Sequence, residues 1–163
     1  MKPGKNFRSW REKLEKQAEP KIVEVPESWA RRIGHGRMLV PTPLLVDKAI
    51  RGTRKGKLIT VNDIRKKLAD DFKADLTCPL TTGIFLVIAA HTAEEDKLAG
   101  KKIISPYWRV VKDDGSLNPK FPGGAARQAA YLKQEGFSII NGKGKGALKV
   151  KDFNNVRPPG NTA

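Results

Sequence analysis

Pro106-Tyr107-Trp108-Arg109-Val110-Val111 is the stretch on which the reading of this chain hinges. It runs into Lys112-Asp113-Asp114-Gly115, then into a Pro/Gly-rich loop ending at Gly123-Gly124, then into a segment that closes in Gln134-Glu135-Gly136. Trp108, Val110 and Val111 predict a short strand, and Asp113-Asp114-Gly115-Ser116 a turn. Gly123-Gly124 marks the entry to a helix with Ala125, Gln128, Ala129 and Leu132 facing inward. Phe137 to Ile140 reads as a last strand.

Upstream, Thr42-Pro43 supplies an N-cap followed by proline at the first helical position, and Leu44, Leu45, Val46, Ala49 and Ile50 carry that helix to a stop at Gly52. Arg51, Arg54, Lys55 and Lys57 make a basic turn into the extended stretch Leu58-Ile59-Thr60. A second helix is predicted from Asn62 to Phe72, because Val61, Ile64, Leu68 and Phe72 fall on one stripe while Arg65, Lys66 and Lys67 face away from it. After the connector Lys73 to Leu76, Thr77 or Cys78 caps a third helix with Pro79 in its first turn. Leu80, Ile84, Val87 or Ile88, and His91 repeat at helical spacing, which turns Thr81, Thr82, Phe85 and Ala89 toward the other side. Ala93 to Lys102 reads as a charged loop. Two amphipathic helices joined by a short connector meet the requirements of a helix-turn-helix, whose second helix presents short polar groups to base edges or phosphates. A helical hairpin in an ordinary core satisfies the same periodicity.

The chain has 163 residues, 39% hydrophobic and 30% charged, which suits one well-buried domain. Its longest apolar run, Gly83 to Ala90, is far below the roughly 20 residues that span a bilayer. Met1 to Lys16 mixes charges into its few apolar residues and lacks the h-region of a secretory signal, so a cytoplasmic protein is expected, associated with the nucleoid in a bacterial cell. With Cys78 as the single cysteine beside His35 and His91, neither a disulfide framework nor a metal or other cofactor is expected. The 32 Lys+Arg against 17 Asp+Glu give a net charge of +15, a field that favours polyanions through release of their counterions. The blander alternative on charge is a generically basic protein, a ribosome-associated factor for example.

Residues 1–41 read as a basic N-terminal arm with short helices. Lys2, Lys5, Arg8, Arg11, Lys13 and Lys16 surround Phe7 and Trp10, and the segment Ser9 to Gln17 is a short helix or a disordered arm, ended by Glu19-Pro20. Pro26 to Arg37 suggests a second short helix whose Trp29 covers the core edge or faces nucleic acid, with His35 in a loop between Gly34 and Gly36. Residues 142–163 read as a basic flexible tail, with the linker Gly142 to Gly146 followed by Lys149, Lys151 and Arg157 among Pro and Asn, and poor order beyond Lys151.

Taken in order, these elements are a helix, a basic turn, a helix opening Thr60-x-x-x-Ile64, a second helix-turn-helix member, Pro106-x-x-Arg109-Val110-Val111, a Gly turn, Gly123-Gly124 and a helix ending Glu135-Gly136. From Thr42 to Ile140 this resembles the C-terminal DNA-binding domain of the O6-alkylguanine-DNA alkyltransferases, and more closely their nucleophile-lacking relatives, the alkyltransferase-like proteins. The resemblance implies a mainly α fold with short strands, a winged helix-turn-helix over residues 42–141, and docking of the third helix on duplex DNA. In that family an alkylated guanine is flipped into a pocket. The reactive group there is the cysteine of a Pro-Cys-His-Arg-Val motif, activated through the histidine and a distant glutamate, because a thiol of pKa about 8.5 needs a base to attack carbon at neutral pH. Here the Cys position is Tyr107 and the His position is Trp108, while Pro106, Arg109, Val110, Val111 and Glu135 stand.

Other departures follow the same direction. Pro79 stands near the arginine that fills the gap left by a flipped base, Thr81-Thr82-Gly83 stands where Val-Gly-Gly is common, Val61 replaces a phosphate-rotating tyrosine, and the hinge asparagine is missing from Ala93 to Ile104. The expectation is a non-enzymatic, monomeric DNA-binding protein, with O6-alkylguanine recognition open. Its DNA-facing residues are Thr81, Thr82, Arg65, Lys66, Lys67, Arg54 and Lys55. Its pocket is lined by Tyr107, Trp108, Arg109, Phe121, Gly123, Gly124 and Glu135, the aromatic residues either stacking on an extruded base or plugging the cavity. Cys78, at a helix start but with no histidine nearby in sequence, reads as a buried structural thiol. RNA binding on the same scaffold is the main alternative; a protein-interaction module whose charge serves only solubility is another.

Overall fold

The computed structural model describes residues 9–142 and 148–153. The chain begins with α1 (Trp10–Leu14), β1 (Lys21–Glu24), α2 (Glu27–Ile33), β2 (Arg37–Val40) and α3 (Pro43–Arg51). It continues with β3 (Ile59–Thr60), α4 (Val61–Asp71), β4 (Leu76–Thr77) and the long α5 (Pro79–Leu98). A 3-10 turn over Tyr107–Arg109 then leads to β5 (Val110–Val111), α6 (Gly124–Gln134), β6 (Ile139–Asn141) and β7 (Leu148–Val150). The fold is mainly helical with short strands, as expected.

Two helix starts follow from their caps. The Thr42 hydroxyl accepts from Leu45 N at 3.3 Å ahead of Pro43, which opens α3. At α4 Thr60 and Asp63 form a reciprocal capping box, each side chain accepting from the other's backbone N–H at 3.0 Å, a device of roughly 1 kcal/mol. Val46, Ala49 and Ile50 of α3 and Ile64 and Leu68 of α4 then close on Leu86, Ala89, Ala90 and Ala93 of α5, with Tyr107, Val110 and Phe121 in the same core. β3 pairs in parallel with β5, Ile59 to Val110 and Thr60 to Val111, so the Pro106 segment is tied to the start of α4. A second cluster joins Leu58, Val111, Leu117, Leu132 and Phe137 to Val150 and Phe153.

Several expectations are corrected. Within residues 9–41 the chain is no arm: Leu14 is buried in the main core, and β1 and β2 form an antiparallel pair that β4 extends in parallel. All residues of β1 are exposed, so no alternation of polarity marks it; the backbone pairing makes it a strand. The Phe7 and Lys2-Lys5-Arg8 part lies outside the described residues. The charged loop expected from Ala93 is helix as far as Leu98, where Asp96 is buried against Arg11 and Lys101. Trp108 sits in the 3-10 turn rather than in a strand, and the last strand begins at Ile139 rather than Phe137. The tail expected to be flexible from residue 142 contributes β7, antiparallel to β6, and buried Phe153, whose ring lies where a side chain on Gly115 would stand. Residues 143–147 and 154–163 of that tail lie outside the described residues.

Candidate nucleic-acid interface

The residues expected to line a pocket come together around Tyr107, Trp108 and Phe121, and these three rings fill one another's space. Tyr107 has no exposed surface. Its ring meets Phe121 and Trp108 edge-on at 5.2 and 5.5 Å, and its hydroxyl donates to Glu94 Oε1 at 2.8 Å. Trp108 stacks on Tyr131 at 4.3 Å, and the Tyr131 hydroxyl donates to the same Glu94 oxygen at 2.9 Å. Burial, and then the hydrogen bond to Glu94, pushes the Tyr107 phenol well above its ordinary range, so it stays protonated at neutral pH. Glu94 and Tyr131 were absent from the expected site, because the surrounding residues read as a charged loop and because stacking across helices leaves no spacing in sequence.

Glu135 is the second centre. Its carboxylate accepts from Gly56 N at 3.0 Å, from Arg109 Nε at 3.0 and 3.1 Å, and from Trp108 Nε1. Burial raises its pKa, but these hydrogen bonds from Gly56, Trp108 and Arg109 outweigh burial and hold it below the ordinary carboxylate value. Arg109 also donates to Thr53 O at 2.8 Å, so the pair grips both sides of the basic turn carrying Arg54 and Lys55. Gly123 and Gly124 both lie at positive φ, 73° and 68°, and a Cβ on Gly123 would stand 2.5 Å from Arg127 Nε; this corner is therefore reserved for glycine. Gln128 bolts α6 to the segment, donating to Trp108 O and Val110 O and accepting from Asn118 N.

The expected DNA-facing set divides. Thr82 is fully buried and its hydroxyl donates to Cys78 O at 2.7 Å; the Thr81 hydroxyl is buried without a partner among the described residues. Neither presents a polar group outward, which corrects their assignment as DNA contacts. The phase of α5 is the opposite of the one expected: Thr82, Leu86, Ala89, Ala90, Ala93 and Asp96 face the core, while Leu80 and Ile84 are 58% and 49% exposed. This helix is apolar on most sides, so polarity could not choose its face; small residues pack where helices approach closely. Arg65 is half-buried and works inward, Nε donating to Thr77 O at 3.1 Å, with burial lowering its pKa. Lys66 and Lys67 are exposed and paired along α4 with Asp70 and Asp71 at 3.0 and 3.2 Å. Arg54 and Lys55 are exposed and unpaired among the described residues.

The outward face of α5 forms the floor of a groove of about 640 Å³, built from Leu80, Gly83, Ile84 and Val87. Trp10 and Lys13 of α1 line it on one side, and Lys112 and the loop Asn118, Pro119, Lys120 line it elsewhere. Lys13, Lys112 and Lys120 make no ion pair among the described residues. Cys78 is buried in a separate small cluster with Val25, Ala30 and Met38. Among the described residues no group of three or more His, Cys, Asp or Glu is placed to hold a metal.

No protein-family model matches the chain, and no curated protein sequence matches it. Among solved structures the chain is similar to S. pombe Atl1, an alkyltransferase-like protein, in its crystal structure in complex with damaged DNA containing O6-carboxymethylguanine, at 18% identity and a TM-score of 0.48. That match covers 71% of this chain and 93% of that one.

Proposed function

We propose that this chain is a DNA-binding protein of the alkyltransferase-like type that docks on duplex DNA through the outward face of the first half of α5 and performs no alkyl transfer. The observation that carries the proposal is the lysine-rimmed groove. Leu80 and Ile84 are exposed side by side around Gly83, whose Cβ position is open, and Lys13, Lys112 and Lys120 stand at its edges without carboxylate partners among the described residues. Exposed apolar side chains on a helix suit the wedges by which minor-groove proteins lie against base steps, and a rim of free ammonium groups suits the flanking phosphates. α4, the connector with β4, and α5 supply the helix-turn-helix of this reading. The packed state of Tyr107 supports a plugged pocket, and the absence of a thiol from the Tyr107 cluster supports a non-catalytic role.

The test is fluorescence anisotropy with undamaged duplex, O6-alkylguanine duplex and a structured RNA at fixed salt, alongside Ile84→Asp. The expected result is a preference for duplex DNA, similar affinity with and without the lesion, loss of binding in Ile84→Asp, and no mass increase of the protein after incubation with the alkylated duplex. A preference for RNA above about tenfold, roughly 1.4 kcal/mol, would overturn the DNA reading. A lesion preference that disappears in Tyr107→Ala would overturn the plug.

A further inference from the structure

α1 lies outside the stretch from Thr42 to Ile140 that carries the family resemblance, yet it is fastened to the groove at several points. The Trp10 ring lies on the His91 ring at 4.2 Å and 13°, and Trp10 N donates to Glu95 Oε1 at 2.6 Å. Arg11 forms a salt bridge with Asp96, a carboxylate with almost no exposed surface, and Leu14 enters the main core. The two basic residues of this short helix therefore have different fates. Arg11 spends its charge on Asp96 and Glu15, whereas Lys13 has its ammonium 4.2 Å from the Trp10 ring centre and no carboxylate in ion-pair range among the described residues. A lysine held at a groove edge by an anchored aromatic ring loses less freedom on meeting a phosphate than one on a mobile arm.

We propose that α1 is a fixed wall of the DNA-binding groove and that Lys13 is a phosphate contact acting together with Lys112 and Lys120. The occupant is the sugar-phosphate backbone of duplex DNA, argued from charge: three ammonium groups from three separate segments converge on one groove, and among the described residues none of them has a carboxylate partner and no carboxylate lines the groove. The inference rests on the DNA reading above but extends the interface to an element that the resemblance does not cover.

The experiment uses the full chain and a short fluorescein-labelled duplex, with affinity followed across a sodium chloride series. Lys13→Gln should flatten the plot of log K against log salt by about 0.9, the share of one phosphate contact in B-DNA. Lys48→Gln, which removes the same charge from the exposed side of α3, should stay close to wild type. Arg11→Gln, which loosens the anchor without touching DNA, should weaken binding as well, with circular dichroism confirming that all variants are folded. If Lys13→Gln matches Lys48→Gln while Ile84→Asp still abolishes binding, α1 is a bystander and the groove reading survives without it. Wild-type binding by Ile84→Asp would overturn both.

Discussion

Glu135→Ala should be among the most damaging single changes in this protein. The carboxylate has a side-chain exposure of 7% and its partner Arg109 one of 12%, so the ion pair is screened little by solvent. Removing the carboxylate leaves the Arg109 guanidinium with Thr53 O as its remaining hydrogen-bond acceptor among the described residues, and strips the acceptor from Gly56 N and Trp108 Nε1. Breaking a buried pair from one side costs about 3–5 kcal/mol, and because Arg109 retains Thr53 O the lower end, about 3 kcal/mol, is expected. Against a total stability of about 5–15 kcal/mol this is a large fraction. Urea unfolding followed by far-ultraviolet circular dichroism should show the midpoint falling at an unchanged slope. Replacing both partners, Arg109→Met with Glu135→Leu, should recover much of the loss, since no charge is then stranded. The pH dependence has a definite sign. Because the folded carboxylate sits below its ordinary value, its stabilisation is present above the unfolded pKa of about 4.3 and is lost as pH falls through the folded one. The gap between wild type and Glu135→Ala should therefore close in acid. A single-variant cost under about 1 kcal/mol, or a double variant no better than the single, would refute the coupled network.

Tyr107→Phe should cost about 1 kcal/mol through the lost bond to Glu94, whereas Tyr107→Ala, which empties a filled site, should cost about 3–5 kcal/mol; urea melts of the two variants separate plug from hydrogen bond. Leu14→Ala should cost about 3 kcal/mol in the same melts, a value that a loose arm could not produce. His91 has its pKa lowered, chiefly by burial, with Lys13 acting the same way and Glu95 and Glu94 opposing. Its neutral form is therefore the stabilising one, present above about pH 6.5 and lost as pH falls through the lower folded value; the thermal midpoint of wild type should drop more than that of His91→Gln over that range.

Much of the scaffold was legible because it is written locally. Thr42-Pro43 is a cap signal whose geometry depends on neighbours within a turn, and α3 begins where it stands; α4 was placed by the stripe Val61, Ile64 and Leu68, while the Thr60 and Asp63 box that opens it emerged with the structure. Gly123-Gly124 and the inward set Gln128, Ala129 and Leu132 of α6 were legible for the same reason. β1 and β2 were missed because their pairing partners, unlike their own side chains, define them. β4 is two residues long and exists as a strand by virtue of β2 alongside it.

The candidate site divides along the same line. That Tyr107 and Trp108 stand after Pro106, with no thiol or imidazole at either position, is a matter of residue identity and is read from the sequence alone. Which face of α5 looks outward was a tertiary decision. Leu80 and Ile84 are as apolar as Leu86, so hydrophobic spacing pointed to the wrong face, and packing against α1 and α3 selected the side lined by Thr82, Ala89 and Ala93. Folding also turned Thr81 and Thr82 inward, pointed Arg65 at Thr77 O, and drew Lys13, Lys112 and Lys120 from distant segments to one groove. The sequence determined the charge and the identity of the residues in the Pro106 segment, which are sums and identities of residues. The candidate surface depended on which residues the packed core left outside, and no local signal encodes that.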